Sequence, residues 1–453
     1  MKLGSSIVRR RAGSRGVFCR CAAMAAAGAL LTAGRAAAQG MEGMSMPDSA
    51  KRIAWSVGAQ AVGLVTRVSP AFGGRAYTEG YLTQPAVMAH ASALGGHVVG
   101  TGTLNLEGWT LRRGELDPGI YGEGYVDRRH PHTYVHEAVL SAVDALGRAD
   151  GAGVLSLSAG KGFVPFGTDD PMSRPFVKYP VNHHLAQILE RVVASAGYRR
   201  GPVLLEASVF GGDEPIGPGA PPVWRRFGDS RAGRVTVSLP GGLEAQASRA
   251  FVASPEFATG AGPDQRKWSA SLRMARAGRY ALVEWARSDE YNGSRRSFRF
   301  QSVLGEGSLD RGPWRLALRG ERTVRPEEER LEDPFRAPRP HADANLVGTT
   351  RWTLATAGVS RAWTAGALRL RPFAEATHAW AVAQARPAVF IPADFYGSSR
   401  IWSLSAGVRV GAGMVHPRMG RYGAADAQAG GESAGAAAHE GHGGHDESHH
   451  PNR

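Results

Sequence analysis

Beyond its N-terminus the sequence lacks cysteine, because the only two, Cys19 and Cys21, lie among the first 21 residues. The rest of the chain therefore has no disulfide and no thiolate metal site. Long hydrophobic runs are missing as well, since no later stretch approaches about 18 consecutive apolar residues. Phosphate-binding loops and dinucleotide fingerprints are also absent. These absences argue against a helical membrane protein and against a nucleotide-dependent enzyme.

The first 38 residues have the pattern of a secretory signal peptide. A basic head is followed by the apolar run Ala22–Thr32 and the small-residue site Ala36–Ala38, so we expect cleavage before Gln39. The apolar run favours ordinary export over the twin-arginine route that Arg9–Arg11 also resembles. Removing this segment lowers the formal net charge from +14 to about +7. The remaining arginines are interspersed with acidic residues, so no nucleic-acid partner is expected.

Alternation of apolar and charged residues is the main structural signal in the rest of the chain. In Trp314–Glu321, Trp and Leu occupy one face of an extended strand, whereas Arg, Ala and Glu occupy the other. The same pattern occurs in Ala367–Glu375 and around Trp268. Eleven further segments show it: Val98–Trp109, Thr133–Val143, Gly153–Ala159, Ala186–Tyr198, Val203–Phe210, Arg234–Leu239, Leu243–Val252, Arg279–Arg287, Ser297–Val303, Val347–Val359 and Ile401–Val410.

Many half-apolar strands in an exported chain predict a closed sheet, because only closure satisfies every strand's backbone groups in lipid. We therefore expect an all-β, antiparallel transmembrane β-barrel of about 14 strands (12–16) in the bacterial outer membrane. The barrel would span residues 51–415, between flexible tails at 39–50 and 416–453. Its expected partners are outer-membrane lipid and the barrel-assembly machinery. A soluble sandwich, propeller or multidomain protein is the alternative, because such folds show similar alternation.

Both tails are rich in side chains that bind transition metals. The leader 39–50 contains Met41, Met44 and Met46, whose thioether sulfurs suit Cu(I). The C-terminal tail contains His439, His442, His445, His449 and His450, so five of the fifteen histidines lie within twelve residues. Imidazoles on a low-complexity segment bind Cu(II), Ni(II) or Zn(II). No cofactor is required, and copper or another divalent transition metal is the candidate ligand; the alternatives are a leader with chance methionines and a solvated tail.

Two dense polar clusters and one later carboxylate predict the lining of the barrel. The first cluster, residues 123–137, provides imidazoles as metal ligands, with carboxylates to orient them. The second cluster, residues 169–184, ends in two adjacent histidines, which would point to opposite faces of a strand. The alternative is a network of salt bridges that lines or plugs the interior. The candidate residues are Glu123, Asp127, Arg128, His130, His132, Asp169, Asp170, Arg174, His183 and Glu206.

At these residues the chain resembles a mostly uncharacterised family of outer-membrane β-barrel proteins that is often associated with copper or heavy-metal resistance. The resemblance spans roughly residues 98–330 and is carried by short motifs. They are Gly122-Glu123 leading into Asp127-Arg-Arg-His-Pro-His132, close to a family pattern Asp-Arg-Gln-His-Pro-His, then His183-His184, the segment Glu206–Pro215 and Ser254-Pro255-Glu256. Arg129 stands where the family usually has Gln, and Thr133 where an acidic residue is common. The resemblance implies an outer-membrane location more than it implies a substrate.

The function expected from this pattern is a porin-like channel that passes a small solute or metal ion through a charged lumen. A second hypothesis is a metal-sequestering outer-membrane protein that does not conduct. The third is a barrel enzyme with a nucleophile beside a positioned histidine. Ser141 and His136 are the candidate pair for this role. Their spacing in the sequence does not indicate a catalytic pair, so we expect no enzyme.

Overall fold

The computed structural model describes residues 53–111, 115–116, 132–144, 153–215, 217–255, 257, 259–328, 346–384, 391–414 and 418–426. Within these residues the chain forms one antiparallel sheet of sixteen barrel strands. The strands are β1 Ile53–Ser69, β2 Tyr77–Ala93, β3 Val98–Asn105, β4 Val135–Val143, β5 Val154–Gly162, β6 Arg191–Arg200, β7 Val203–Gly211, β8 Phe227–Leu239, β9 Leu243–Val252, β10 Asp264–Arg276, β11 Arg279–Asn292, β12 Arg295–Arg311, β13 Trp314–Glu328, β14 Leu346–Arg361, β15 Leu368–Ala383 and β16 Arg400–Gly413. A short strand, Trp363–Ala365, continues β14 along the same partner, β15. Short helices are α1 Glu107–Thr110, α2 His183–Ala186 and α3 Pro392–Tyr396.

The sheet closes on itself. Each strand pairs with its neighbour in sequence, and β1 pairs with both β2 and β16. Closure leaves no open edge, which is what a sheet in hydrocarbon requires. The all-β, antiparallel barrel predicted from the sequence is therefore confirmed.

The predicted number of strands, about 14, was wrong, because the barrel has sixteen. The two that were missed are β1 and β2, which hold many small residues and Gly. A bulge shifts their register between Gln60 and Val62, opposite Gln84 and Pro85 of β2. The extra residue reverses the phase of the alternation in β2. In β1 the inward-facing Val62, Leu64 and Val68 are apolar, so its two faces do not differ in polarity.

The two rims of the barrel differ in their connections. Tight turns join the strands at one rim, for example 201–202, 277–278 and 312–313. The other rim carries long connections, including 106–134 and 163–190. Strand β1 begins and β16 ends at the short-turn rim. This asymmetry is that of bacterial outer-membrane barrels, which combine short turns on one side with long loops on the other.

Many large apolar side chains are exposed on the outer surface of the barrel, and many charged side chains are buried in its interior. Leu318 is 69% exposed and Trp55 65%, whereas the neighbouring Glu321 is 4% exposed and Glu284 is fully buried. Exposure of apolar side chains to water is unfavourable in free energy, so the apolar outer surface of the barrel is suited to a hydrocarbon environment. Among the described residues, no helix has the length and apolar character needed to cross a membrane.

Two segments fold into the interior. We call residues 163–190, which connect β5 and β6, the inner segment, and residues 418–426, which follow β16, the C-terminal strap. Both consist mainly of buried residues. The strap belongs to the part of the sequence assigned to the C-terminal tail, and over these nine residues it is packed inside the barrel.

Candidate functional site

The inner segment crosses the lumen and is anchored on the far wall. The backbone N–H groups of Val177 and Lys178 donate to the Glu375 carboxylate of β15, at 2.6 and 3.1 Å. The N–H of Val181 donates to Glu321 of β13 at 3.0 Å. Carboxylates of the wall thus satisfy backbone donors that have no sheet partner, and they fix the path of the segment.

Arg174 ties the same segment to two neighbouring strands. Its Nη2 donates to Glu284 of β11 at 3.3 Å, and its Nε lies 3.8 Å from Glu306 of β12. Asn182 adds a bond of 2.9 Å to Glu284. Arg174 is 2% exposed, so the pairing of its charge is needed for burial at this depth.

Local sequence features turn the inner segment at its start. The Asp170 carboxylate accepts from the Met172 N–H at 2.7 Å, just ahead of Pro171, which begins a single 3-10 turn. Gly167 has φ +74°, and a Cβ there would overlap the Ala186 carbonyl oxygen. A residue without a side chain is therefore required where the two arms of the segment meet.

Asp169 lies at the junction of the inner segment, the wall and the strap. Its carboxylate pairs with Arg273 of β10 and, at 2.7 Å, with Arg418 of the strap. Burial alone would raise the pKa of Asp169, but the charges of Arg418 and Arg273 outweigh it and hold that pKa well below its usual range. Asp169 is therefore ionised at any ordinary pH.

The strap is held by hydrogen bonds to β4 and β9 of the barrel wall. The Tyr422 hydroxyl donates to Glu137 of β4 at 2.7 Å and accepts from the Phe163 N–H at 3.0 Å. Arg418 forms a bidentate pair with Glu244 of β9, at 2.7 and 2.8 Å. Bidentate pairs fix orientation as well as distance, so the strap has a defined position against the inner segment.

Two histidines of the inner segment, His183 and His184, form a cluster of imidazoles with His132. The rings of His132 and His183 are 6.0 Å apart between centroids, and those of His183 and His184 are 4.7 Å apart. His132 Nδ1 lies 2.7 Å from the Glu107 carboxylate of α1. Both members of this pair belong to the connection between β3 and β4, outside the barrel strands.

The pair is ionised. For Glu107, burial works to raise the pKa, but the charge of His132 and its hydrogen bond lower it to about 2. For His132, burial works to lower the pKa, but Glu107 raises it to about 9. His183 behaves in the opposite way, because burial and the neighbouring His184 lower its pKa well below the usual value. The cluster therefore combines one imidazolium with one neutral imidazole.

The Ser141–His136 pair considered for an enzyme is not formed. His136 Nδ1 lies 2.6 Å from Glu190, and Ser141 Oγ lies 2.7 Å from Ser158 Oγ. Both side chains are buried inside the barrel, whereas a lipid hydrolase would need them on the outer face.

The structure places six of the predicted lining residues: His132, Asp169, Asp170, Arg174, His183 and Glu206. Glu206 faces inward from β7, and Asp169, Asp170, Arg174 and His183 belong to the inner segment. His132 belongs to the connection between β3 and β4. His132 and His183 converge, Asp169 and Arg174 belong to the ion-pair network, and Glu206 forms a bidentate pair with Arg234 at 2.6 and 2.7 Å. The other lining candidates, Glu123, Asp127, Arg128 and His130, lie outside the described residues, as do Met41, Met44, Met46, His439, His442, His445, His449 and His450.

For a metal ion the described part of the chain offers no ready site. It contains no group of three or more His, Cys, Asp or Glu side chains arranged to hold one. His132 commits its Nδ1 to Glu107, and His130, its expected companion ligand, is not among the described residues. The imidazole cluster of this region is thus a hydrogen-bonded and ion-paired feature.

Several residues of the site were not predicted from the sequence. They are Glu107, Glu137, Glu190, Arg418 and Tyr422. The position of Glu107 could have been inferred from the sequence. It follows Asn105, an inward-facing residue at the end of β3, by two positions, which places its carboxylate beside the lumen. The strap had none, since Arg418 and Tyr422 sit in a segment of turn-like composition.

No protein-family model and no curated protein matches this sequence. Among solved structures, it is similar to an anion-selective porin from Comamonas acidovorans, with 10% identity over 80% of this chain and 100% of that one, at a TM-score of 0.46. The outer membrane channel DcaP of Acinetobacter baumannii gives 9% identity, 82% and 100% coverage and a TM-score of 0.48. OprB of Pseudomonas putida gives 12%, 80% and 94%, and 0.45. These values are too low to support a statement about function, which therefore rests on the chain's own residues.

Proposed function

We propose that the protein is an outer-membrane channel for small solutes, with a lumen narrowed by the inner segment and the C-terminal strap. The observation that carries the proposal is the orientation of the closed sheet. Leu318 and its apolar neighbours face outward, and Arg319 and Glu321 of the same strand face inward. A ring with an apolar exterior and a charged interior has the form of a pore across a bilayer.

The charged lining gives the channel its selectivity. Fixed charges on a pore wall favour ions of opposite sign and exclude large solutes, without a chemical step. The inner segment reduces the free cross-section because it contacts β11, β13 and β15. The strap adds a second restriction, and it is attached to the inner segment at Asp169 and to the wall at Glu244 and Glu137. We therefore infer a narrow channel.

Solute efflux from liposomes tests the proposal. The refolded full chain is reconstituted with entrapped ions and sugars of increasing size, and a heat-dependent shift in gel mobility verifies the folded barrel. Release of small solutes with a sharp size limit is expected. Liposomes that hold a folded barrel and retain every solute would contradict the channel.

Copper handling is a separate proposal. It is supported by the ligand chemistry of Met41, Met44 and Met46 and of the C-terminal histidines. These segments would raise the metal concentration at one mouth of the barrel, or would sequester the metal with no conduction. Copper binding by the full chain and by a chain ending at Asp426 tests this proposal, and equal binding by the two chains would exclude a role for the histidine tail.

A further inference from the structure

Two arginines lie directly opposite each other on neighbouring strands of the barrel. Arg371 of β15 and Arg409 of β16 are partners in the register of the sheet. Directly opposed residues have Cβ atoms about 5 Å apart, and like charges in that position repel each other. A sheet that keeps such a pair gains no stability from it.

Both side chains point into the lumen. Arg371 shares the inward face of β15 with Phe373 and Glu375, which are buried. Arg409 shares the inward face of β16 with Ser403 and Ser405, whereas the alternate residues of that strand are exposed on the outer surface. Each of the two residues is partly exposed, and both belong to the inward face of the wall.

Within the described residues, neither arginine has a carboxylate partner. No ion pair or hydrogen bond joins Arg371 or Arg409 to another described side chain, and Arg409 Nη2 is buried without a hydrogen-bond partner. Glu375, whose charge acts on Arg409, accepts hydrogen bonds at both oxygens from backbone N–H groups of the inner segment. Asp310 is likewise committed to Arg315, in a bidentate pair of 2.6 and 2.8 Å.

A third arginine adds positive charge at the same place. Arg315 lies within electrostatic range of both Arg371 and Arg409 and repels them. The carboxylates of this region, Asp310 and Glu375, already accept hydrogen bonds from other groups. Three arginines and two carboxylates leave this part of the wall with a net positive charge.

We propose that Arg371 and Arg409 form a binding site for a small oxyanion, such as a phosphate or a carboxylate. Guanidinium groups present planar, paired N–H donors that match the oxygens of such anions. A bound anion would neutralise the repulsion across the strands and supply an acceptor to Arg409 Nη2. The site lies on the lumen wall, so it deepens the proposed channel function by naming the class of solute.

Phosphate binding to the refolded full chain in detergent micelles tests the site without requiring conduction. We expect saturable binding of inorganic phosphate by calorimetry and a matching rise of the thermal unfolding midpoint. Removal of one unit charge near contact distance in a water-like medium weakens binding about fivefold, so R371Q and R409Q should each show that loss. R311Q, at an exposed arginine near the end of β12, is the matched control and should bind as the unaltered chain does.

A stability measurement separates a binding role from a structural one. In the absence of phosphate, R371Q and R409Q should keep or raise the unfolding midpoint, because they relieve repulsion. A lowered midpoint would show that the arginines stabilise the wall, and it would overturn the proposal. So would unaltered phosphate affinity in both variants, or no saturable binding by the full chain.

Conductance then distinguishes the site from the channel. In a KCl gradient the full chain should be anion-selective, and the R371Q/R409Q double variant should shift the reversal potential toward cation permeation. Phosphate binding without conductance would support the site and contradict the channel. Conductance with a reversal potential that the double variant leaves unchanged would overturn the anion site and leave the channel standing.

Discussion

Arg418 Nε lies 2.7 Å from the Asp169 carboxylate, so a residue after the last strand is paired with one that is 249 positions earlier in the chain. The same guanidinium also holds Glu244. This side chain therefore joins the C-terminal strap to the inner segment and to the barrel wall. A substitution of Arg418 would therefore remove the contacts of the strap with both Asp169 and Glu244.

Replacement of Arg418 should loosen the strap and enlarge the pore. In R418Q the ion pairs of Arg418 with Asp169 and Glu244 are lost, while Asp169 keeps Arg273. We expect a larger single-channel conductance with more frequent fluctuations, and a loss of about 2 kcal/mol in the free energy of unfolding. R311Q is the control for loss of a positive charge. Unchanged conductance in R418Q, together with a lowered stability, would mean that the strap does not restrict the pore.

The ion pair between Glu107 and His132 should make stability depend on pH. The pKa of Glu107 is lowered to about 2, so its contribution is complete above the ordinary value of 4.5 and is lost as the pH falls toward 2. The pKa of His132 is raised to about 9, so its contribution is complete below 6.5 and is lost as the pH rises through 9. Between these limits the pair is intact.

The measurement compares thermal unfolding midpoints of the unaltered chain and H132Q from pH 4.5 to 10. We expect the largest difference at pH 4.5–6.5 and a steady decrease above it. H97Q serves as the control, since His97 lies at an exposed turn. A difference that stays constant to pH 10 would show that His132 is not charged in the folded protein.

A charge on the apolar outer surface should destabilise the barrel. Leu318 is 69% exposed and faces outward, so L318R would place a cation against hydrocarbon at a cost of about 2–4 kcal/mol near the bilayer midplane. L318F keeps the surface apolar and should have little effect. Urea-induced unfolding in lipid vesicles measures both variants. Equal stability of L318R and L318F would indicate that this face does not contact lipid.

The histidine tail should be separable from the pore. Because residues 418–426 pack inside the barrel, a chain ending at Asp426 removes the histidines and keeps the strap. We expect it to bind fewer Cu(II) ions, by equilibrium dialysis, and to conduct as the full chain does. A truncated chain that retains its full copper capacity would place the metal ligands elsewhere.

The barrel was predictable from the sequence because the period of two is a local property. Strand β9 was predicted as Leu243–Val252, and it has those bounds in the structure. In the first part of β13, Trp314–Glu321, the polar face that was predicted, which includes Arg319 and Glu321, points inward. The alternation failed in β2, where the bulge at Gln84 and Pro85 reverses its phase. It failed in β1 because Val62, Leu64 and Val68 make the inward face apolar as well. Closure explains why two undetected strands are still required, since a gap would leave unpaired edges.

The site was predictable only in part. Polar clusters identified Asp169, Arg174 and His183 as residues of the interior, because charged groups rarely follow one another so densely in a barrel strand. Their partners could not be derived, since Arg418 and Glu284 are far away in the chain and reach the inner segment only after the ring closes. Register across a barrel depends on every strand between the two residues, and a local pattern does not contain it.

Single-channel conductance tests the central claim, that the closed ring encloses a pore narrowed by the strap. The full chain and a chain ending at Met414 are refolded, checked for heat-dependent gel mobility and inserted into planar bilayers at the same salt concentration. The account predicts discrete conductance steps for both, with larger steps when the strap is missing. Two folded barrels that insert and give no steps, or steps of equal size, would contradict it.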